Sequence, residues 1–221
     1  MIAKQLITGH VIPLKSTDTG AFALLQMEEA RLSHLPIVEG TTLIDIISDK
    51  EIQAVDDPEL EVGRYKINPI RVSVDEEQHV YEVLKLFSSL NLTMVPVVRD
   101  ENYYVGAIIL PTIVNSLAAM IGIDNPGSIV ILEINDKDYS LAEIVKIVES
   151  NDTKILSCFV TPLPDSTILE VTLKVSRIEI GPLLQTFFRL NYLVTASWSK
   201  ENSFNEGLQD RFDALMNYLN I

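Results

Sequence analysis

The stretch Leu35-Pro36-Ile37-Val38 returns sixty residues later as Val95-Pro96-Val97-Val98, and the correspondence runs upstream at the same spacing without a gap. Leu14 falls on Val74, Ala23 on Val83, Leu24 on Leu84 and Met27 on Phe87. After a one-residue insertion, Leu43-Ile44-Asp45-Ile46-Ile47 aligns with Tyr104-Val105-Gly106-Ala107-Ile108. The first half of the chain is therefore a tandem duplication, with repeats over about 1–57 and 62–122. Two copies of a unit too small to close a core are expected to pack on each other, and the seam between them makes clefts.

Both repeats read in one order: an extended run, an amphipathic helix, two strands and a second helix. In repeat one, Thr17-Asp18-Thr19 supplies cap-forming side chains, and Ala23, Leu24, Met27 and Ala30 follow at helical spacing. Repeat two offers Asp75 as its cap, then Val80, Val83, Leu84 and Phe87. Strands are expected over 35–38, 43–48, 94–98 and 103–109, and their continuous apolar character suggests cover on both faces. A second helix is expected over 49–55. Asp56-Asp57-Pro58-Glu59 and Asn68-Pro69 break regular structure between the repeats.

A further boundary falls at Asp124-Asn125-Pro126-Gly127-Ser128. Beyond it the pattern changes to strand, helix, strand, strand, helix, strand over 128–198. The first helix opens with Ser140-x-x-Glu143, and Leu169, Val171, Leu173 and Val175 alternate with Glu170, Thr172 and Lys174. That alternation marks an antiparallel sheet with one solvated face, in the split βαββαβ plan. A last helix is expected over 203–221, where Leu208, Phe212, Leu215, Met216 and Leu219 make one apolar stripe for packing on its own domain or on another subunit.

Composition narrows the function classes. Hydrophobic residues make up 47% of the 221, enough for a core without staples, and the one cysteine, Cys158, rules out an intramolecular disulfide. A net charge of −14 opposes nucleic acid and anionic membranes. No apolar run approaches the roughly 18 residues of a spanning helix, and the N-terminus lacks a signal-peptide layout, so a cytoplasmic protein is expected. His10, His34 and His79 share no metal-ligand spacing, and no nucleophile elbow, phosphate loop or Rossmann glycine pattern appears. Neither an enzyme nor a metal site is expected.

The duplicated unit, carried by Leu35-Pro36-Ile37-Val38 and Val95-Pro96-Val97-Val98 with the strands that follow them, resembles the cystathionine-β-synthase (CBS) motif. The βαββαβ segment resembles an ACT domain by element order. A CBS pair followed by an ACT domain is similar in plan to the bacterial acetoin-utilisation regulatory proteins. The resemblance implies an α/β (α+β) chain: a CBS pair over 1–122 with small mixed sheets and helices, then a ferredoxin-like ACT domain over 128–198. It also implies a non-catalytic regulatory protein, a homodimer responding to a small-molecule effector, with a regulated protein as a further partner. An interaction or dimerisation scaffold whose ligand sites have degenerated is the alternative.

In CBS pairs that bind adenosine nucleotides, a Gly-x-x-Ser/Thr-x-x-Asp strand end brings a hydroxyl to phosphate and a carboxylate to the ribose diol, which it suits as a double acceptor. Repeat one reads Asp45-Ile46-Ile47-Ser48-Asp49-Lys50-Glu51, keeping the hydroxyl and lengthening the carboxylate. Repeat two reads Gly106-Ala107-Ile108-Ile109-Leu110-Pro111-Thr112, losing both. By this resemblance AMP or ATP would bind through Ser48 and Glu51, with Ile12 and Val72 lining the base and Thr112 a weaker neutral partner. Equally, Ser48 and Glu51 suit the start of a helix, where early carboxylates complement the dipole. No other cofactor is implied. ACT domains that bind amino acids use Asp-x-Pro-Gly between first strand and helix; here Asp138, Tyr139 and Ser140 occupy that corner without Pro-Gly, which favours a capped helix in an interfacial domain.

Overall fold

The computed structural model describes residues 1–9, 11–65, 72–100 and 102–199 and divides into two compact units, one ending at Leu117 and the other beginning at Ala118. His10, the Asn68-Pro69 break and the helix expected over 203–221 lie outside the described residues.

In the first unit, each repeat contributes a helix and a hairpin at equivalent positions. Repeat one holds α1 (Gly20–Ala30), β1 (His34–Glu39), β2 (Thr42–Ser48) and the short α2 (Asp49–Gln53). Repeat two holds β3 (Val74–Asp75), α3 (Val80–Leu90), β4 (Met94–Arg99), β5 (Tyr103–Ile109) and α4 (Leu110–Met120). The five strands form one mixed sheet in the order β1-β2-β5-β4-β3, joined across the repeats at Thr42 and Tyr103. The duplication reaches fine detail. Both hairpins carry a register shift at the same place, between Ile37 and Val38 and between Val97 and Val98. Both first helices end on a left-handed residue, Arg31 at φ 55° and Asn91 at φ 51°.

The helix caps do not repeat. Thr19 Oγ1 accepts from the Phe22 N–H in α1, whereas α3 starts after His79, whose Nδ1 accepts from the Tyr81 N–H at 3.4 Å. Asp75 is not the cap that the spacing suggested: it ends β3, and its Oδ1 accepts from the Glu77 N–H, holding the turn before the helix. The second helix of repeat one is also shorter than expected, ending at Gln53. β2 alternates buried and half-buried residues rather than being covered throughout.

A 3-10 turn leads each repeat and packs on the other one. In the turn Ala3–Leu6, the Ala3 and Lys4 N–H groups donate to the carbonyls of Gln78 and Glu76. In Val62–Arg64, Val62 and Gly63 donate to Asp18 and Ser16. Gly63 is required there, because a Cβ would stand 2.7 Å from that of Ser16. The cores interlock likewise: Met94 and Ala107 of repeat two are buried among Leu35, Ile37, Ile47 and Ile52 of repeat one. Ala3 and Leu6 join Val83, Phe87 and Val95 of repeat two. Neither copy encloses its apolar residues without the other.

The second unit runs β6 (Ser128–Asn135), α5 (Leu141–Ser150), β7 (Ile155–Pro162), β8 (Ile168–Val175), α6 (Gly181–Arg189) and β9 (Leu193–Trp198). Its strands pair antiparallel in the order β7-β8-β6-β9, a ferredoxin-like sheet. Val130, Leu132, Val171, Leu173 and Val175 face the helices, meeting Ile144, Val148, Leu183 and Phe187. Cys158 packs on this core, and burial pushes its thiol up. No helix among the described residues is long and apolar enough to cross a membrane.

Candidate functional site

Ser48 and Glu51 are brought together where β2 turns into α2, and each caps the other. Ser48 Oγ accepts from the Glu51 N–H at 3.2 Å, while Glu51 Oε2 accepts from both the N–H and the hydroxyl of Ser48 at 2.7 Å. This is a reciprocal capping box, the arrangement that satisfies otherwise orphaned donors at a helix start. Both bonds end on Oε2, so Oε1 takes part in neither.

Glu51 also lines a cavity of about 160 Å³ with Ser16, Glu39, Asp45, Ile47 and Tyr65. The turn Val62–Arg64 closes one side through Val62 and Gly63. Three carboxylates thus face this space, and no lysine or arginine lines it among the described residues. Glu39 accepts from the Ser16 hydroxyl, and Asp45, though 5% exposed, holds the Ile46 N–H at 2.8 Å. The Tyr65 hydroxyl is buried with no hydrogen-bond partner among the described residues. Burial, and next the charge of Asp57, raise its pKa, so the phenol stays protonated and is a donor.

A second, more open cavity of about 390 Å³ is lined by Ile12, Gln26, Glu29, Ala30 and Leu35. Leu35 is the cross-strand partner of Ile47, which lines the first. Ile12 is 65% exposed there. The remaining residues named from the sequence do not join Glu51. Val72 packs on the core of repeat two, and Thr112 is half-buried on α4. Ser16, Glu39 and Tyr65 were not legible as site residues, because long-range packing of the 3-10 turn brings them together. Asp45 did leave a signal, a lone carboxylate in an apolar strand.

Repeat two fills the corresponding place. Gly106 stands where repeat one has Asp45, and a Cβ on it would lie 2.4 Å from Ile7 Cγ2. The Thr8 N–H donates to the Ala107 carbonyl at 2.9 Å, so residues 7 and 8 lie along β5. Where repeat one has Ser16 and Glu39, repeat two has Glu76 and Arg99, paired at 2.5 and 3.0 Å.

One polar link crosses the repeats at equivalent positions. The Ser33 N–H donates to Thr93 Oγ1 at 3.0 Å, and that hydroxyl lies 3.1 Å from His34 Nδ1. The Thr93 N–H also points to Nδ1, at 3.4 Å. With the Thr93 N–H directed at it, Nδ1 serves as an acceptor and is unprotonated. Burial pushes the His34 pKa down, against the pull of Asp49 and Glu51.

In the second unit, Asp138 is exposed in a turn, Tyr139 packs on the core, and Ser140 accepts from the Glu143 N–H at 3.4 Å as the cap of α5. Among the described residues no group of three His, Cys, Asp or Glu side chains is placed to hold a metal ion.

The first unit is thus a duplicated strand–helix pair with interlocked cores and a cavity beside the end of β2. The family model described as the CBS domain matches residues 3–56 and 62–118, half of the chain, and the chain belongs to that family. An inosine-5'-monophosphate dehydrogenase from Methanocaldococcus jannaschii is 28% identical over 109 residues, 49% of this chain but only 22% of that enzyme. A CBS domain pair/ACT domain protein from Thermotoga maritima is similar with a TM-score of 0.49 and 19% identity, over 54% of this chain and 98% of that one. A putative acetoin utilization protein from Vibrio cholerae gives a TM-score of 0.49 and 21% identity, over 56% and 95%. CBS pairs are regulatory ligand-binding modules, and the first unit is one.

Proposed function

We propose that this chain is a non-catalytic, ligand-sensing regulatory protein of the cytoplasm that binds one adenosine nucleotide in the cleft of repeat one. The observation that carries the reading is the inequality of the two repeats. Repeat one keeps a cavity with Glu51 at its wall and the Tyr65 hydroxyl free to donate. Repeat two has Ile7 in contact with Gly106 and Thr112 in place of the carboxylate. At about 160 Å³ the cavity is below the ~300 Å³ of ordinary ligand pockets, so it accommodates the ribose while the rest of the nucleotide extends outside it. Glu39, Asp45 and Glu51 repel a polyphosphate, which favours AMP over ATP. Because Glu51 Oε2 is held by Ser48, a ribose diol takes Oε1 or displaces the cap. Occupancy thereby acts on the start of α2, a means of favouring one packing of a homodimer, which the ACT-like second unit stabilises.

Thermal melting tests the reading. AMP at 100 times its dissociation constant adds about 2.7 kcal/mol of stability. The shift is expected to vanish in Glu51→Ala and to survive in Thr112→Ala. No shift with AMP, ATP, NAD or S-adenosylmethionine, on a folded protein, overturns it. The Ser48–Glu51 capping box favours a second reading, in which both residues serve the helix alone and the pair is a scaffold for a protein partner. A partner retained equally with and without nucleotide supports that reading.

A further inference from the structure

The starts of α2 and α4 are held in the same way, and the two holds are joined. β2 runs into α2 at Asp49, whose N–H donates to the Ser33 carbonyl at 3.0 Å; β5 runs into α4 at Leu110, whose N–H donates to the Thr93 carbonyl at 3.2 Å. Ser33 and Thr93 occupy equivalent places, each immediately before the first strand of its repeat's hairpin. Each also turns its own N–H across the repeats. Ser33 donates to Thr93 Oγ1 at 3.0 Å, and Thr93 donates to His34 Nδ1 at 3.4 Å. A line of hydrogen bonds therefore runs from the first turn of one helix to the first turn of the other, through three half-buried residues. The strand pairing between the repeats, at Thr42 and Tyr103, lies at the far ends of β2 and β5.

We propose that Ser33, His34 and Thr93 form a relay that carries a change at the start of α2, beside the cavity of repeat one, to the start of α4 in repeat two. The element with two states is the Ser48–Glu51 capping box, formed or open. When formed, it fixes the turn from which the Asp49 N–H is aimed at Ser33. Opening it moves that donor, and Ser33 moves with it, because a half-buried carbonyl or N–H that parts from its partner loses the bond without regaining full hydration. Thr93 is gripped at its hydroxyl by Ser33 and at its N–H by His34, so its carbonyl passes the shift to Leu110. α4 is the element on which the chain passes from the first unit to the second, which makes its start the exit for a signal from repeat one. That a ligand on Glu51 opens the box rests on the reading of the cleft given above; the relay is tested without ligand.

Amide hydrogen exchange followed by NMR on the full chain provides the test. Ser48→Ala should speed exchange several-fold at Asp49 and at Leu110 and leave the amides of α3 unchanged. In a Thr93→Val or Thr93→Ala background the same change should still speed Asp49 but no longer move Leu110, whereas Thr93→Ser, which keeps the hydroxyl, should retain the response. Leu110 unmoved by Ser48→Ala alone overturns the proposal. So does a response at Leu110 that persists without the Thr93 hydroxyl, or one shared by α3, which marks general loosening. Failure of AMP to bind, with the response to Ser48→Ala intact, removes the nucleotide reading and leaves the relay standing.

Discussion

His34 illustrates how a single side chain ties the two repeats together and makes stability depend on pH. Its Nδ1 takes hydrogen bonds from Thr93 only when unprotonated, and burial holds its pKa below the ordinary 6.5. Above pH 6.5 the imidazole is neutral in both the folded and the unfolded chain. Below that value the unfolded chain binds a proton that the folded chain resists, so stability falls as the pH drops from 6.5 toward the lowered folded value. Melting temperatures measured on either side of that window should fall more for the native chain than for His34→Gln; equal slopes contradict the link. Ser48 gives a second expectation at this scale. Ser48→Ala removes the capping box and should cost about 1 kcal/mol in denaturant unfolding. This role was readable in advance, since a Ser-x-x-Glu spacing needs no long-range information. The cross-repeat bond of His34 was not, because its partner lies on the other repeat.

Among elements, hairpins and helix stripes were legible because their residues repeat with a period of two or of 3.6. The Asp75 cap failed for a local reason: an aspartate at the end of a short strand can hold the next turn as readily as a helix. His79 took the helix start although histidine is not a favoured cap. The 3-10 turns Ala3–Leu6 and Val62–Arg64 were invisible in the sequence, because they are fixed by contacts to the opposite repeat rather than by their own composition. Gly127 marks the entry to β6 at φ +148°, where a Cβ would meet the Val175 carbonyl oxygen at 1.9 Å. Backbone cannot yield as a side chain tip does, so Gly127→Ala should destabilise the second unit by at least the ~1–3 kcal/mol of ordinary overpacking. Calorimetry that finds the transition of that unit unchanged would contradict this.

At the scale of the molecule, the duplication accounts for both the strength of the fold and the inequality of its sites. Each repeat supplies core residues to the other, so strands such as β1 and β4 have stayed alike. Residues at the strand ends bear no such constraint. There Asp45, Ser48 and Glu51 face Gly106, Ile109 and Thr112, and Ile7 has come to lie against the glycine. The motif comparison could show that repeat two lacks the polar groups, while the ring of Ser16, Glu39 and Tyr65 around the cavity of repeat one required the folded chain. The most direct measurement is the stoichiometry of AMP binding by isothermal titration calorimetry, on the native chain and on Glu51→Gln. One nucleotide per chain, with affinity lost in Glu51→Gln and kept in Thr112→Ala, is the expected result; two per chain, none, or binding indifferent to Glu51 would contradict it.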